Sequence, residues 1–374
     1  MKALIVGSGW AGASCNYMLK KHNVESHLFE QKNVVGGHSR SEIINNVIYE
    51  PNGPHIFHTS NKEVNDFVNK FGMKRKYSHQ VKTRIYPPSL KGSSILLSWP
   101  PQVSELEELR EWKTIKNQLD NLPKKINTRS FQDYAVSIMG SMLYELFIEG
   151  YTIKQWGMDP SELSSDFAPK RIDLRTDGNK NLFKDKWEYF HPEGSGAIIE
   201  NILSKEQINF ESKITINNIH EYSKNYDLVV ITSALDLFLD LDKVLEWRGI
   251  KSEPKFFNTQ SPEDKITEAY QINHPSMNEP YTRTVETKHA SSQIIEGSVV
   301  CKEYPVDNLR HYPILSKDNV NTQTNNYYKK QIEENLNLPV YFCGRLANYQ
   351  YINQDEAILQ GFNTARLILK DSKS

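Results

Sequence analysis

The first twelve residues constrain the fold of this chain more than any other segment. An apolar run over residues 3–6 leads directly into the motif G-x-G-x-x-G at Gly7, Gly9 and Gly12. In such a strand–turn–helix unit the first glycine permits the tight turn, the second lets backbone N–H groups reach a pyrophosphate, and the third lets the helix pack closely on the strand. The pyrophosphate lies at the helix N-terminus, where unpaired N–H groups favour an anion. The motif therefore predicts a dinucleotide-binding domain.

The residues that follow indicate which dinucleotide is bound. Residues 27–30 are predicted to form the second strand, and Glu30 occupies the position of the acid that commonly binds a ribose hydroxyl. A glycine pair, Gly36 and Gly37, comes close behind that acid and is followed by His38. This order is typical of flavoproteins of the amine-oxidase type, so we expect FAD rather than NAD. The alternative is a glycine-rich turn that binds no ligand, and it fits the combination of strand, glycine motif, Glu30 and glycine pair less well.

Composition limits the partners of the chain. Among 374 residues, 45 Lys and Arg balance 46 Asp and Glu, and this net charge of −1 argues against a nucleic-acid or membrane-surface binder. Cys15, Cys301 and Cys343 lack metal-ligand spacing, so we expect no metal site and predict reduced thiols, as in the cytoplasm. No stretch approaches the roughly 18 apolar residues of a membrane span, so no membrane insertion is expected.

Three separate parts of the chain are predicted to build the dinucleotide domain. Segments 228–232 and 340–345 have the pattern of short buried strands, and a helix is expected over 354–369. The predicted fold class is α/β, with a substrate cleft between domains. Its parts are a Rossmann-type FAD-binding domain (1–75, 190–240 and 335–374), an inserted helical domain (100–150) and an antiparallel β-sheet domain (76–99, 151–189 and 241–334). The polar stretch 316–326 is expected to be a surface loop.

Two arginines and an aromatic pair are candidates for substrate binding on chemical grounds alone. Arg171 and Arg283 have planar guanidinium groups that can each bind a diphosphate through two parallel hydrogen bonds. Tyr151 and Trp156 could form an aromatic wall against a base, and Gln155 could recognise the polar edge of that base. Each assignment has an ordinary alternative, because a lone arginine is often a solvated surface charge and aromatic residues more often fill the core.

Motifs of direct nucleophilic, acid–base or metal catalysis are absent from the sequence. The chain has no G-x-S-x-G or H-E-x-x-H motif, no metal-spaced cluster and no evident pair of carboxylates. We therefore expect the difficult chemistry to reside in the cofactor, with the protein supplying binding, orientation and electrostatic stabilisation.

Five motifs, in order along the chain, carry a resemblance to a known family. They are HIFHT from residue 55, YTIKQWG from 151, RIDLR from 171, TRTVETKH from 282 and GRLANYQY from 344. All but the third closely match motifs of the UDP-galactopyranose mutases, flavoenzymes that interconvert the pyranose and furanose forms of a nucleotide-linked sugar. The chain resembles this family over essentially its whole length, which implies the same fold and type of activity.

The resemblance implies roles for individual residues. Arg171 matches an arginine on a mobile loop, and Arg283 matches a second arginine that binds the diphosphate; both are catalytic candidates. His55 matches a histidine near the flavin ring and is a catalytic candidate in a supporting role. The remaining matches, to positions that bind nucleotide, diphosphate or flavin, are Tyr151, Thr152, Gln155, Trp156, Phe183, Tyr312, Gly344, Arg345, Tyr351 and Asn353.

The resemblance also implies a mechanism and partners. In this family reduced FAD acts as the nucleophile on the anomeric carbon and displaces the nucleoside diphosphate, after which the sugar ring opens and recloses through a different hydroxyl. The implied requirements are FAD, an external reductant such as NAD(P)H and a nucleotide-sugar substrate. Members of the family are commonly homodimers, and the product would enter a furanose-containing surface glycan.

Departures from the family pattern leave the substrate open. Asp173 replaces the usual proline of the third motif, Leu182 replaces a tyrosine, and Asn353 replaces an aspartate. Arg175, at the end of the third motif, could equally be a surface charge. UDP-galactose, dTDP-fucose and UDP-N-acetylgalactosamine all remain candidate substrates. Outside the family, the alternatives are an FAD-dependent oxidoreductase of the amine-oxidase type and a non-catalytic flavin-bearing scaffold.

Overall fold

Five parallel strands form the sheet that the N-terminal motif predicts. The computed structural model describes residues 1–241 and 245–373. From edge to edge, the strands are Val340–Phe342, Leu228–Ile231, Lys2–Val6, Glu25–Phe29 and Ile208–Asn209, and every neighbouring pair is parallel. The two strands that begin at Lys2 and Leu228 are buried almost throughout, which explains their continuous apolar sequence.

Helices cover both faces of this parallel sheet. On one face Trp10–Lys21 packs against the C-terminal helix Gln354–Asp371. The same face holds Lys62–Lys70 and Ser195–Leu203, whereas Ile219–Tyr222, Leu235–Phe238 and Val320–Asn335 cover the other. Short helical segments elsewhere are Gly37–Ser39, Pro88–Leu90, Ala168–Lys170, Ser223–Asn225, Lys288–Ser291 and Gly344–Asn348. The sheet and its helices form the predicted Rossmann-type layer structure.

One sequence interpretation is wrong at the stretch 316–326. We expected a polar surface loop, but the helix Val320–Asn335 begins inside it. The buried positions of this helix include Asn321 and Asn325, whose side-chain amides donate hydrogen bonds to main-chain carbonyls. Buried asparagines thus occupy helix positions that are usually apolar, so the sequence lacks the apolar spacing that predicts a helix.

A seven-stranded sheet forms a second layer. Its order is Tyr312–Pro313, Trp247–Phe257, Ser298–Val306, Arg283–Val285, Gln271–Asn273, Val81–Ile85 and Ile95–Trp99. Its pairs are antiparallel except that Gln271–Asn273 runs parallel to Val81–Ile85. These two strands lie far apart in the chain, so no tight hairpin requires them to be antiparallel. Two short antiparallel pairs accompany the sheet: Glu42–Ile44 with Val47–Tyr49, and Phe57–Thr59 with Trp187–Tyr189.

A cluster of helices occupies the region predicted to be helical. Its elements are Val103–Leu106, Trp112–Asp120, Phe131–Tyr144, a π-helical turn at Glu145–Glu149, and Gly150–Trp156. Leu106, Leu109 and Ile115 are buried in its core. Helical structure continues past residue 150, so the segment from Tyr151 to Trp156 lies on a helix. The division into three domains stays a prediction. Within the described residues, no helix is long and apolar enough to cross a membrane.

Candidate active site

Two adjoining cavities contain almost all of the candidate residues. The first, the glycine-rich cavity, is lined by both glycine turns, by Glu30 and by Gly344. The second, the arginine-lined cavity, is lined by Arg171, Arg283 and the other predicted substrate residues: Tyr151, Thr152, Gln155, Trp156, Phe183, Tyr312, Arg345 and Tyr351. Five residues line both cavities and mark their junction: His38, His55, Arg345, Asn353 and Gln354.

The two glycine turns meet at the N-terminus of the helix Trp10–Lys21. Gly7 has a φ of +101° and Gly36 a φ of +108°, a backbone region that favours glycine. A Cβ atom on Gly37 would lie 3.3 Å from the Cα atom of Gly9, so the turns are in close contact. The first helical turn has no acidic residue, so the helix itself brings no carboxylate to its N-terminal N–H groups. This arrangement suits a pyrophosphate.

Gly12 has a different role from the other motif glycines, because it lines neither cavity. A Cβ atom on Gly12 would lie 2.1 Å from the carbonyl oxygen of Gly7, so this glycine allows the helix to pack on the turn, as predicted. A Cβ atom on Gly9, in contrast, would come no closer than 3.9 Å to the Cα atom of Gly37. The protein itself leaves room at Gly9, where a ligand would approach the backbone.

Glu30 is fixed at the wall of the glycine-rich cavity. The side chain is buried just beyond the strand Glu25–Phe29. Its Oε2 accepts hydrogen bonds from the backbone N–H of Ser8 (3.1 Å) and from the Ser8 hydroxyl (2.6 Å). Its Oε1 accepts one from the backbone N–H of Lys32 (3.1 Å). Since a carboxylate offers about four acceptor positions, Glu30 can also accept a ribose hydroxyl.

Three guanidinium groups influence Tyr351 in the arginine-lined cavity. Arg171 lies 5.0 Å and Arg345 5.6 Å from the centre of the Tyr351 ring. Burial alone would raise the pKa of the Tyr351 hydroxyl, but Arg171, Arg345 and Arg283 together hold this pKa below its ordinary value. Tyr312 packs 5.8 Å from Tyr351, ring centre to ring centre. Such a concentration of positive charge on half-buried side chains favours a polyanion such as a diphosphate.

A buried acid holds Arg283 in place. The Nε atom of Arg283 forms an ion pair with Glu303, whose side chain is fully buried. Burial opposes the charge of Arg283, but the Glu303 carboxylate, together with the hydroxyl groups of Tyr151 and Tyr312, raises the pKa of the guanidinium well above its ordinary value. The Nη2 atom is buried and makes no hydrogen bond within the described chain. Arg283 therefore remains charged and keeps a donor for a ligand.

The helix Gly150–Trp156 forms one wall of the arginine-lined cavity. The sequence left open whether Trp156 binds substrate or fills the core, and the structure shows that it lines the cavity and also packs 5.2 Å from the Phe167 ring. The two interpretations are compatible, since the cavity wall is the edge of the core. Burial raises the pKa of Tyr151 to about 12, so its hydroxyl stays protonated and can donate a hydrogen bond. Gln155 and Thr152 are buried beside them.

Neutral histidines surround the junction of the two cavities. Burial, aided by the charge of Arg345, lowers the pKa of His55 to about 3 and that of His311 to about 4. His38 packs against His311 with ring centres 4.5 Å apart, and burial holds its pKa well below the ordinary value. The Nδ1 atom of His55 has no hydrogen-bond partner among the described residues. These rings can therefore offer single hydrogen bonds without adding charge at neutral pH.

One departure from the family pattern, Asp173, stabilises the loop between Arg171 and Phe183. Asp173 forms ion pairs with Arg175 (2.9 Å) and Lys184 (2.8 Å). Arg175 is not a surface charge, because it is 4% exposed and donates hydrogen bonds to main-chain carbonyls of the same loop. An acid–base pair therefore holds this loop where the family commonly has a proline.

The other two departures change the lining of the arginine-lined cavity. Asn353 caps the helix Gln354–Asp371 through a capping box, and its Oδ1 lies 3.4 Å from the Nη2 atom of Arg171. A neutral asparagine there accepts a hydrogen bond from Arg171 without adding the negative charge that an aspartate would bring. Leu182 presents an apolar side chain to the cavity and cannot donate the hydrogen bond that a tyrosine would.

The structure adds residues that the sequence interpretation did not select. His58 stacks on Phe183 with ring centres 3.6 Å apart, and His79 lies 5.9 Å from the same ring. Both histidines line the arginine-lined cavity, as do Gln271 and Asn273. His58 belongs to the HIFHT motif and could have been selected from it. The other three occur in no recognised motif and reach the cavity only through the fold.

Together these features fit a dinucleotide cofactor beside an anionic substrate. The glycine turns, the acid-free helix N-terminus and Glu30 fit the pyrophosphate and ribose of FAD, and the unpaired Nδ1 of His55 lies at the junction where the flavin ring would meet the substrate. Among the described residues, no group of His, Cys, Asp and Glu could hold a metal ion. The fold and the site define a Rossmann-type dinucleotide-binding protein with an adjoining cavity lined by three arginines.

Comparison with known proteins identifies the family. The sequence profile described as UDP-galactopyranose mutase matches residues 146–351, and that of an NAD(P)-binding Rossmann-like domain matches residues 5–71. The first match spans more than half of the chain. The chain belongs to the UDP-galactopyranose mutase family and is a flavin-dependent mutase of nucleotide sugars, an isomerase.

Individual relatives agree with this assignment. A dTDP-fucopyranose mutase of Escherichia coli is 30% identical over 391 residues, which cover 100% of this chain and 99% of the relative. A probable UDP-galactopyranose mutase of Klebsiella pneumoniae is 27% identical, with 97% and 93% covered. A crystal structure of reduced UDP-galactopyranose mutase has the same fold, with a TM-score of 0.78 and 15% identity over 99% of this chain and 95% of that one. The family resemblance is confirmed, and the amine-oxidase alternative is not supported.

Proposed function

We propose that this mutase interconverts the pyranose and furanose forms of dTDP-fucose, with UDP-galactose as the second candidate substrate. The observation that carries the proposal is the half-buried group of Arg171, Arg283 and Arg345 around Tyr351, next to the junction with the glycine-rich cavity. A nucleoside diphosphate bound there would place its sugar beside the flavin ring. UDP-N-acetylgalactosamine is a third candidate from the sequence.

The residues of the site would promote departure and return of the diphosphate. Arg171 and Arg283 would stabilise the negative charge that develops on the diphosphate as its bond to the anomeric carbon breaks. Tyr151, with its protonated hydroxyl, and Tyr312 would orient the phosphates, and the neutral His55 would donate or accept a hydrogen bond without competing for the anion. The chemistry that reduced FAD supplies when bound is nucleophilic attack on the anomeric carbon.

The apolar end of the cavity favours a thymine base. Trp156 belongs to a connected set of aromatic rings. It packs on Phe167, whose ring centre lies 5.1 Å from that of Phe131. Phe147 and Ile148 line the same cavity. A wall of this kind can bury the C5 methyl group by which thymine differs from uracil, and one buried methyl group contributes about 0.8 kcal/mol.

The cavity wall at Leu182 and Phe183 suits a 6-deoxy sugar. Leu182 and Phe183 present adjacent apolar surfaces to the cavity, and His58 stacks on the ring of Phe183. Fucose has a methyl group where galactose has a hydroxymethyl group, so an apolar wall without a hydroxyl donor at position 182 suits it better. The 30% identity to a dTDP-fucopyranose mutase supports the same choice, whereas the 27% identity to a probable UDP-galactopyranose mutase keeps UDP-galactose as the alternative.

A substrate panel tests the proposal. The purified FAD-bound protein, reduced with dithionite, is incubated with dTDP-fucose, UDP-galactose or UDP-N-acetylgalactosamine, and the furanose product is separated by chromatography. We expect the highest kcat/KM with dTDP-fucose and no conversion by the oxidised protein. A higher kcat/KM with UDP-galactose would identify UDP-galactose, and not dTDP-fucose, as the substrate. Conversion of none of the three, with reducible flavin bound, would reject all three candidate substrates.

We further propose the physiological setting that the sequence implies. Reduction would come from an external donor such as NAD(P)H, the protein would be a cytoplasmic homodimer, and the furanose product would enter a surface polysaccharide. Reduction by NADPH or NADH is measured as anaerobic bleaching of the flavin absorbance. The oligomeric state is measured by light scattering of the purified protein. A monomer by light scattering would contradict the homodimer.

A further inference from the structure

Lys154 lies within the YTIKQWG motif but points away from the chemistry assigned to its neighbours. Its ammonium donates hydrogen bonds to four main-chain carbonyl oxygens, those of His274 (2.6 Å), Ser276 (2.7 Å), Glu279 (2.8 Å) and Tyr281 (3.0 Å). An ammonium has three protons, so the four oxygens share them as they would share a bound monovalent cation. All four acceptors belong to a single connection, residues 274–281.

The helix that carries Lys154 lines the arginine-lined cavity, and the connection 274–281 joins two strands that contribute Asn273 and Arg283 to the same cavity. Lys154 belongs to the helix Gly150–Trp156, which supplies the predicted nucleotide wall. The connection 274–281 links the strand Gln271–Asn273 to the strand Arg283–Val285, which carries the diphosphate arginine. Lys154 is therefore the charged link between the wall proposed for the base and the strand proposed for the diphosphate.

Close packing of the helix on the connection supports a positional role. A Cβ atom on Gly150, the first residue of the helix, would lie 2.2 Å from the carbonyl oxygen of Pro275, so the two backbones approach as closely as glycine allows. At the other end of the helix, Arg248 donates to the carbonyl oxygens of Lys154 and Gln155. Both ends of the helix are thus fixed, and Lys154 links it to the connection.

We propose that Lys154 is a positioning residue that sets the distance between the nucleotide wall and Arg283. This inference rests on the proposed function, because it assigns Lys154 to the binding of a nucleoside diphosphate in the same site. Burial lowers the pKa of Lys154 to about 8, and Glu279 opposes this shift, so the side chain is mostly charged at pH 7. Loss of its charge would release four carbonyls and loosen the position of Arg283 while leaving every substrate contact in place.

The experiment compares nucleotide affinity with catalysis in the FAD-bound protein. Binding of dTDP and UDP is measured by isothermal titration calorimetry for the wild type, Lys154→Met and a matched surface variant, Lys116→Met, whose side chain is 57% exposed. We expect Lys154→Met to weaken nucleotide binding about tenfold, an effect of the size of one charge-assisted hydrogen bond, and to raise KM with little change in kcat. Its FAD content and flavin absorption spectrum should equal those of the wild type.

Chemical rescue distinguishes positioning from general damage to the fold. In Lys154→Ala the carbonyl ring is vacated, so propylammonium chloride should restore nucleotide affinity several-fold beyond sodium chloride of the same ionic strength. If Lys154→Met does not fold, Lys154→Gln, which retains two N–H donors, carries the same affinity test. Unchanged nucleotide affinity in the folded variants, or equal effects of the two salts, would overturn the role of Lys154. If the wild type binds neither dTDP nor UDP, the proposed function fails instead.

Discussion

At the residue scale, Arg283 combines binding with structural support. Its guanidinium faces the arginine-lined cavity and also neutralises the buried carboxylate of Glu303. Removing the guanidinium would leave Glu303 buried without a partner, and breaking a buried ion pair in this way costs about 3–5 kcal/mol. Loss of activity in an alanine variant would therefore not separate loss of substrate binding from loss of stability.

Arg283→Lys should separate the two roles. Lysine keeps a positive charge near Glu303 but loses the planar pair of donors, so we expect the protein to retain its fold and FAD while kcat/KM falls by roughly 100-fold. Steady-state kinetics and thermal unfolding of the same preparation measure the two effects. Arg129→Lys, at a side chain that is 81% exposed, is the control and should change neither. Unchanged kcat/KM in Arg283→Lys would exclude this residue from the diphosphate site.

Sequence motifs found the arginines of the site but not the residues that hold them. Binding a diphosphate requires specific side chains, and these occur in recognisable motifs such as those containing Arg171 and Arg345. Glu303 was missed because it lies opposite Arg283 only in the register of two antiparallel strands. Lys154 is inside a recognised motif, yet its role depends on carbonyl groups more than a hundred residues away, which no local pattern shows.

At the element scale, local units were predictable and their pairing was not. The strand, turn and helix at the N-terminus follow from residues that are neighbours in sequence, and the structure confirms them. The parallel pairing of Gln271–Asn273 with Val81–Ile85 follows from no local signal. The helix Val320–Asn335 was missed for a related reason, since its buried asparagines bond to carbonyls of other segments.

The N-terminal element makes a prediction that distinguishes two glycines of one motif. Gly9→Ala should fold, since its Cβ atom would meet no protein atom closer than 3.9 Å, but the methyl group would obstruct the approaching pyrophosphate. Gly12→Ala should destabilise the helix packing itself, because its Cβ atom would lie 2.1 Å from a carbonyl oxygen. We expect Gly9→Ala to weaken FAD affinity at least tenfold, with an apoprotein as stable as the wild-type apoprotein. Fluorescence titration measures the FAD affinity, and urea unfolding measures the stability of the apoprotein. Full FAD affinity in Gly9→Ala would contradict the assigned pyrophosphate position.

At the scale of the whole molecule, buried histidines make folding sensitive to acid. Burial is the main cause that lowers the pKa of His55 and His79 to about 3 and that of His311 to about 4. The same groups titrate near 6.5 in an unfolded chain. Below about pH 6.5 the unfolded chain therefore binds protons that the folded chain does not, and the free energy of unfolding decreases as the pH falls from about 6.5 towards 4.

Two buried acids act in the opposite direction. Burial raises the pKa of Glu50 and of Glu188 to about 7, so between about pH 7 and 4.5 the folded chain binds protons that the unfolded chain does not. These acids add stability as the pH falls through that range. Burial also raises the pKa of Glu303 and of Asp355. On the side of the three histidines stand His38, whose pKa is lowered by burial, and acids such as Asp173 and Glu286, whose pKa is lowered because hydrogen bonds to the carboxylate together outweigh burial. The net effect should be lower stability at acidic pH.

His79→Gln tests this account at a single group. In the wild type, the unfolded chain binds a proton at His79 between about pH 4.5 and 6, and the folded chain does not. The variant loses this difference of one proton, so the slope of its unfolding free energy against pH should be smaller by about 1.4 kcal/mol per pH unit. Urea unfolding of the FAD-saturated protein at several pH values measures this slope. The matched control is His22→Gln, at an exposed position that follows the helix Trp10–Lys21, and it should leave the slope unchanged. Equal slopes for wild type and His79→Gln would mean that the folded protein protonates His79 in this range, and that burial does not keep this ring neutral beside Phe183.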